Sequence, residues 1–148
     1  MNDIKKEKQM NGSKKVENIL TLIWIQALIA MFGSLFYSEI MGYIPCELCW
    51  IQRIIMYPLV IIYGVALWKK NIDIALPGLI LSGIGILVSV YHYGVQKLSF
   101  LQEAGGMCGE IPCNLQYVNY FGFITIPFLA GTAFIIIFIL HIMMLRSK

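Results

Sequence analysis

The stretch Cys46-Glu47-Leu48-Cys49-Trp50-Ile51-Gln52-Arg53-Ile54-Ile55-Met56-Tyr57-Pro58-Leu59-Val60-Ile61-Ile62-Tyr63-Gly64-Val65-Ala66-Leu67-Trp68 ends on Lys69-Lys70. It joins a C-x-x-C pair to a long apolar run and closes with a basic stop. As a helix rising roughly 1.5 Å per residue, the run from Trp50 to Trp68 reaches about 30 Å, the thickness of the hydrocarbon core of a bilayer. Three further runs match it in length: Ile19 to Ser38, Ile74 to Tyr93 and Phe121 to Leu145. Lipid offers no hydrogen bonds to unpaired backbone, so each run is expected to be a helix. The fold class is an all-α membrane protein, a four-transmembrane-helix bundle.

Composition agrees. The chain has 148 residues, 59% of them hydrophobic and only 13% charged, too apolar for a soluble domain of this size. The formal charge of +3 suggests no nucleic-acid partner, because the basic residues fall where topology signals belong. Lys5, Lys6, Lys8, Lys14 and Lys15 precede the first run; Lys69 and Lys70 separate the second from the third; Arg146 and Lys148 follow the fourth. The other two connections hold Glu39, Glu47, Glu103 and Glu110 against Lys97. The positive-inside rule then places both termini in the cytoplasm and every cysteine outside, where disulfides persist.

The expected organisation is a cytoplasmic basic tail over 1–18 and a four-helix redox domain over 19–148, with helices near 19–38, 50–68, 74–93 and 121–145. The outer loops are 39–49 and 94–120. The first run is longer than the apolar core of a secretory signal and lacks an A-x-A-like site, so it is read as a retained span. Pro45 and Glu47 mark the start of the second helix. Pro58 predicts a kink, and Gly78 and Ser82 a face for close helix approach. Gly105-Gly106, Gly109 and Pro112 give the second outer loop freedom to move beside Cys108.

The four cysteines form two close pairs, Cys46/Cys49 and Cys108/Cys113. A C-x-x-C at a helix start joins a low-pKa thiol to a resolving partner, the arrangement used in thiol–disulfide exchange. Two dithiols on one rim of a membrane bundle therefore point to electron transfer ending on a membrane-soluble molecule. Cys49 has two anion-favouring neighbours, the helix N-terminus and Arg53 one turn on. Arginine inside a bilayer costs about 2.5–3.5 kcal/mol, so Arg53 needs an anionic or strongly polar partner. The Cys49 thiolate, Glu47, a lipid headgroup and a quinone oxygen all qualify. His92, at the outer end of the third helix, is placed to tune a thiolate or to donate a proton to a quinone. The aromatics Trp50, Tyr91, Tyr93, Tyr117, Tyr120 and Phe121 fit an interfacial belt. Two competing readings use the same cysteines: a structural protein stapled by two disulfides, and a metal-handling protein. The preferred reading carries no metal.

The order helix, C-x-x-C-x-x-x-Arg, two helices, second cysteine pair, helix resembles the DsbB family of disulfide-forming membrane oxidoreductases. Cys108-x-x-x-x-Cys113 and the short outer loop resemble its BdbC branch, and Tyr120-Phe121-Gly122 through Pro127 resembles the opening of that family's last helix. The resemblance to vitamin K epoxide reductase is weaker, since the C-x-x-C there lies near the last helices. What the DsbB resemblance implies is a bacterial cell-membrane, quinone-dependent thiol oxidase. Cys108/Cys113 would take electrons from an extracytoplasmic thioredoxin-like dithiol oxidase, with Cys108 attacked first and Cys113 exchanging with Cys46. Cys46/Cys49 would pass them to the membrane quinone pool, menaquinone or ubiquinone, with Cys49 contacting the ring and Arg53 holding an oxygen.

Overall fold

The computed structural model of the chain describes residues 2–105 and 110–147, so Cys108, Gly106 and Gly109 lie outside the described residues. Helix α1 covers Asn2–Leu35 and passes into a π-helical turn, Phe36–Ile40. Helix α2 covers Glu47–Lys69, and a 3-10 turn at Ile72–Ala75 leads into α3, Leu76–Lys97. A short α4, Ser99–Gly105, precedes the last long helix, α5, Ile126–Arg146. Four of these segments, Ser13–Ile40, Glu47–Lys69, Ile72–Lys97 and Ile126–Arg146, are long and apolar enough to cross a membrane. Among the described residues there is no strand, only an isolated bridge between Tyr120 and Ile124.

Two helix starts differ from the hydropathy runs, each for a local reason. Helical backbone extends back through the lysine-rich segment, and Val16 packs into the core with Ile19, Leu20 and Ile23. Val16 lies one turn before Ile19 and Leu20, so the buried face of α1 continues through it. At the other end, the apolar run begins at Phe121 but α5 begins at Ile126. Phe121 (φ 54°) and Gly122 (φ 82°) both take left-handed conformations, which closes a turn and ends any helix through them.

The long helices form a four-sided bundle in which α1 and α3 each pack against both α2 and α5. α2 and α5 stand on a diagonal and meet only slightly. Close packing of α3 comes from a stripe of small residues, Gly78, Ser82, Gly85 and Ser89, all buried. A Cβ at Gly78 would lie 2.6 Å from the Tyr63 ring, and one at Gly85 would lie 2.5 Å from the Phe134 ring. The expected face at Gly78 and Ser82 is thus longer than its first two members, and it ends at buried His92. α2 remains helical through Pro58. The outward faces carry Ile29, Phe32, Ile54, Ile61 and Leu87 exposed, as hydrocarbon solvent requires.

The α2–α3 connection is tight. Lys70 caps α2 in a left-handed conformation (φ 49°), Asn71 N–H donates to the Ala66 carbonyl at 3.1 Å, and the Asn71 side chain accepts from Asp73 N–H at 3.0 Å. This makes α2 and α3 antiparallel neighbours. It also sends the start of α2, with Cys46 and Cys49, and the end of α3, with His92, to the same rim of the bundle.

Candidate redox site

Pro45 stands just outside α2, and Cys46 is its N-cap in an extended conformation, with its carbonyl accepting from Trp50 N–H at 3.0 Å. Proline therefore precedes the cap instead of opening the first turn. Cys49 follows inside that turn, and the two sulfurs lie 3.2 Å apart. Both cysteines are free; Cys46 is buried and Cys49 half-buried. On its far side Cys46 Sγ lies 3.7 Å from His92 Nε2, while His92 Nδ1 is buried without a hydrogen-bond partner among the described residues.

These contacts set the electrostatics of the pair. The Cys46 thiol is held below its ordinary pKa: the hydrogen bond with Cys49 is the largest cause, burial opposes it, and the contact with His92 adds to it. Its place at a helix N-terminus acts in the same direction. Sequence alone gave the anion-favouring neighbours to Cys49. The structure gives the N-cap position and the imidazole to Cys46.

Cys113 is disulfide-bonded, 1% exposed, and packs in one apolar cluster with Cys46, Leu48 and Val95. Polar residues at the end of α3 hold its loop there. Gln96 Nε2 donates to the Leu115 carbonyl at 3.2 Å, Gln116 Nε2 donates to the Gln96 carbonyl at 3.0 Å, and Lys97 Nζ donates to the Gly122 carbonyl at 2.7 Å. So three of the four cysteines gather at one rim, and the fourth lies outside the described residues.

Two cavities adjoin the dithiol, and Cys49 lines both. The larger, about 340 Å³, fills the space that the diagonal α2 and α5 leave open beside α1. Cys49, Gln52, Arg53, Met56 and Tyr57 supply its α2 wall. Arg53 Nη2 donates to the Ser34 carbonyl at 3.1 Å, and its guanidinium sits 5.4 Å from the centroid of the Trp50 ring. Arg53 thus finds its polar partner in the backbone of α1 and keeps a wall of the cavity. The Tyr57 hydroxyl is buried and has no hydrogen-bond partner among the described residues. Over the cavity Tyr43 stacks on Tyr37 and on Tyr117, with centroids 6.1 and 4.9 Å apart, so Tyr117, one of the belt aromatics, also lines the cavity.

The smaller cavity, about 20 Å³, lies on the other side, lined by Cys46, Cys49, His92 and Gln96 among others. His92 lines this space and not the larger one. The structure therefore sets Arg53 beside Cys49 and His92 beside Cys46. Sequence reasoning passed over Gln52, Tyr57 and Gln96. For the first two a signal existed: with Cys49, Arg53 and Met56 they share one helical face, at spacings of three and four. Gln52 also ties α2 to α3, its Nε2 donating to Ser89 Oγ at 3.2 Å.

Comparison with known proteins agrees with this architecture. The family described as disulfide bond formation protein DsbB matches residues 16–144. The chain is similar to a probable disulfide formation protein of Oceanobacillus iheyensis, 66% identical over 137 residues that cover 92% of this chain and 94% of that one. It is 55% identical to a probable disulfide formation protein C of Halalkalibacterium halodurans, over 92% of this chain and 99% of that one. To the disulfide bond formation protein C of Bacillus subtilis it is 47% identical, over 84% and 91% of the two chains. No solved structure matches the chain. The chain belongs to the DsbB family, and with its four apolar helices it is a multi-pass membrane protein.

Proposed function

We propose that this chain is a quinone-dependent thiol oxidase that re-forms the disulfide of an extracytoplasmic thioredoxin-like dithiol partner. The observation that carries the reading is the place of the Cys46/Cys49 dithiol: buried Cys113 packs beside Cys46, and a cavity of about 340 Å³ opens beside Cys49. The two sides match the two exchanges that a relay needs. A ring-sized ligand fits that cavity by volume. Arg53 and Tyr57 are among its lining residues and carry the guanidinium and hydroxyl that would donate to carbonyl oxygens.

The chain's own residues act in two stages. The partner's thiolate attacks the Cys108–Cys113 disulfide at Cys108, and the partner leaves oxidised as Cys108 and Cys113 become thiols. Cys113 then exchanges with a Cys46–Cys49 disulfide, so the loop pair closes again and the C-x-x-C pair carries the two electrons. The quinone supplies a two-electron, two-proton acceptor when bound. Release of the electrons re-forms the Cys46–Cys49 disulfide. Arg53 and Tyr57 would hold the quinone oxygens, and His92 keeps Cys46 reactive.

The lysines in the N-terminal part of α1 and those at the end of α2 orient the chain with both termini in the cytoplasm, and the cysteine rim then faces outward. The testing experiment is quinone reduction by the purified protein in detergent, with a reduced thioredoxin-like protein as electron donor. Turnover is expected for the parent chain and its loss in Cys49→Ser. A mixed disulfide between Cys108 and the donor should accumulate in Cys113→Ser. Full turnover in Cys49→Ser would overturn the assignment.

A further inference from the structure

The small cavity behind the dithiol has a composition that disulfide exchange does not require. Cys46 Sγ, Cys49 Sγ and a ring nitrogen of His92 all lie within 4.8 Å of one another. Gln96 lines the same space, and its buried Oε1 has no hydrogen-bond partner among the described residues. Cys46, Cys49 and His92 line a space of about 20 Å³, room for one water molecule. Two thiols, an imidazole and room for one water form a three-ligand site with an open fourth position.

We propose that the reduced Cys46/Cys49 pair and His92 bind one Zn²⁺, and that Gln96 Oε1 accepts a hydrogen bond from a water at the fourth position. Tetrahedral zinc, with Zn–S near 2.3 Å and Zn–N near 2.0–2.1 Å, sets sulfur and nitrogen about 3.6 Å apart and two sulfurs about 3.8 Å apart. Cys46 Sγ and His92 Nε2 are already 3.7 Å apart, while Cys46 and Cys49 Sγ, at 3.2 Å, must open by a few tenths of an ångström. Binding involves no electron transfer: any proton still held by Cys46 or Cys49 leaves to solvent as the two Zn–S bonds form. Only the dithiol can take the metal, because in the disulfide both sulfurs are committed to each other. On the proposed thiol-oxidase reading, which this regulatory consequence rests on, zinc traps the reduced enzyme and stops electron delivery.

Co²⁺ serves as the spectroscopic probe. The full chain carrying Cys108→Ser and Cys113→Ser keeps Cys46 and Cys49 as its cysteines, and is reduced and freed of metal before titration. One Co²⁺ per chain is expected, with thiolate-to-cobalt charge-transfer bands and the d–d bands of a tetrahedral centre, all bleached by one Zn²⁺. Oxidation of the pair should abolish binding, and adding Cys46→Ser or Cys49→Ser should remove the charge-transfer bands or sharply weaken them. Loss of a ligand should exceed the roughly 10–100-fold cost of losing an outer-shell partner, so His92→Ala should weaken binding more than tenfold. No thiolate charge-transfer band in the reduced chain, or unchanged affinity in His92→Ala, would overturn the site. Quinone reduction by the parent chain in metal-free buffer is scored separately. Turnover without metal binding removes only this inference, and metal binding without turnover removes only the thiol-oxidase reading.

Discussion

The Cys46 sulfur lies 3.7 Å from Nε2 of His92, so the cap of α2 and the end of α3 share one contact across the rim of the bundle. With Cys49 Sγ 3.2 Å away on the other side, Cys46 is the thiol whose anion is best supported. Cys49 instead faces the large cavity. This division gives each sulfur of the C-x-x-C pair a different neighbour to react with.

The lowered pKa of Cys46 has a definite sign in reactivity. A thiol whose pKa is depressed stays ionised, and hence alkylatable, below the ordinary range near 8.5, and loses reactivity only as pH falls through its own lower value. Iodoacetamide labelling of reduced protein, followed by peptide mass analysis, should give Cys46 such an acidic midpoint. Cys49→Ala should move the midpoint up most, because that hydrogen bond is the largest cause, and His92→Ala should move it up less. An ordinary thiol midpoint for Cys46 in the parent chain would refute the arrangement.

Arg53→Lys keeps a charge but loses the planar fork that reaches the Ser34 carbonyl while lining the cavity. The apparent KM for quinone should rise in Arg53→Lys and further in Arg53→Ala. The larger rise should be about tenfold or more, matching a charge-assisted hydrogen bond of about 1.5–3 kcal/mol. Helical content by circular dichroism should not change. Quinone kinetics like the parent's in both variants would take Arg53 out of the site.

Tyr57→Phe removes a buried hydroxyl that has no hydrogen-bond partner among the described residues. If that hydroxyl serves a ligand oxygen, KM for quinone should rise by roughly twofold to tenfold, the scale of a neutral hydrogen bond of about 0.5–1.5 kcal/mol, with kcat nearly unchanged. Thermal stability without quinone should hold or increase, because an unsatisfied polar group is gone. A fall in stability with no change in KM would show a structural hydroxyl instead.

Gly85→Ala should destabilise the bundle, since the added carbon would meet the Phe134 ring at 2.5 Å in an interior where overpacking typically costs about 1–3 kcal/mol. Gly83→Ala is the internal comparison, with only Phe138 near, at an ordinary 3.6 Å. Melting temperatures in detergent should separate the two, Gly85→Ala lower than the parent and Gly83→Ala equal or higher. Equal melting temperatures would mean that α3 and α5 do not pack as described.

The number of long helices, their approximate extents and the C-x-x-C at the start of α2 were all legible in the sequence. Hydropathy runs, basic stops and helix-start residues act within one or two turns of chain, and lipid forces each apolar run into a helix whatever surrounds it. The sequence also marked Arg53 as needing a partner, since its cost in a bilayer is a property of the residue alone. Which partner it has, the Ser34 carbonyl on α1, depends on how two helices meet, as does the side of Cys46 on which His92 falls. Cys113 reaches Cys46 because Gln96 and Lys97 fasten a loop whose own sequence is compatible with many paths. The cavity exists because two diagonal helices stay apart, and Tyr57 is among the residues that line it. Those relations arise from packing between segments distant in the chain, which the local pattern of residues does not encode, and only the tertiary structure decided them.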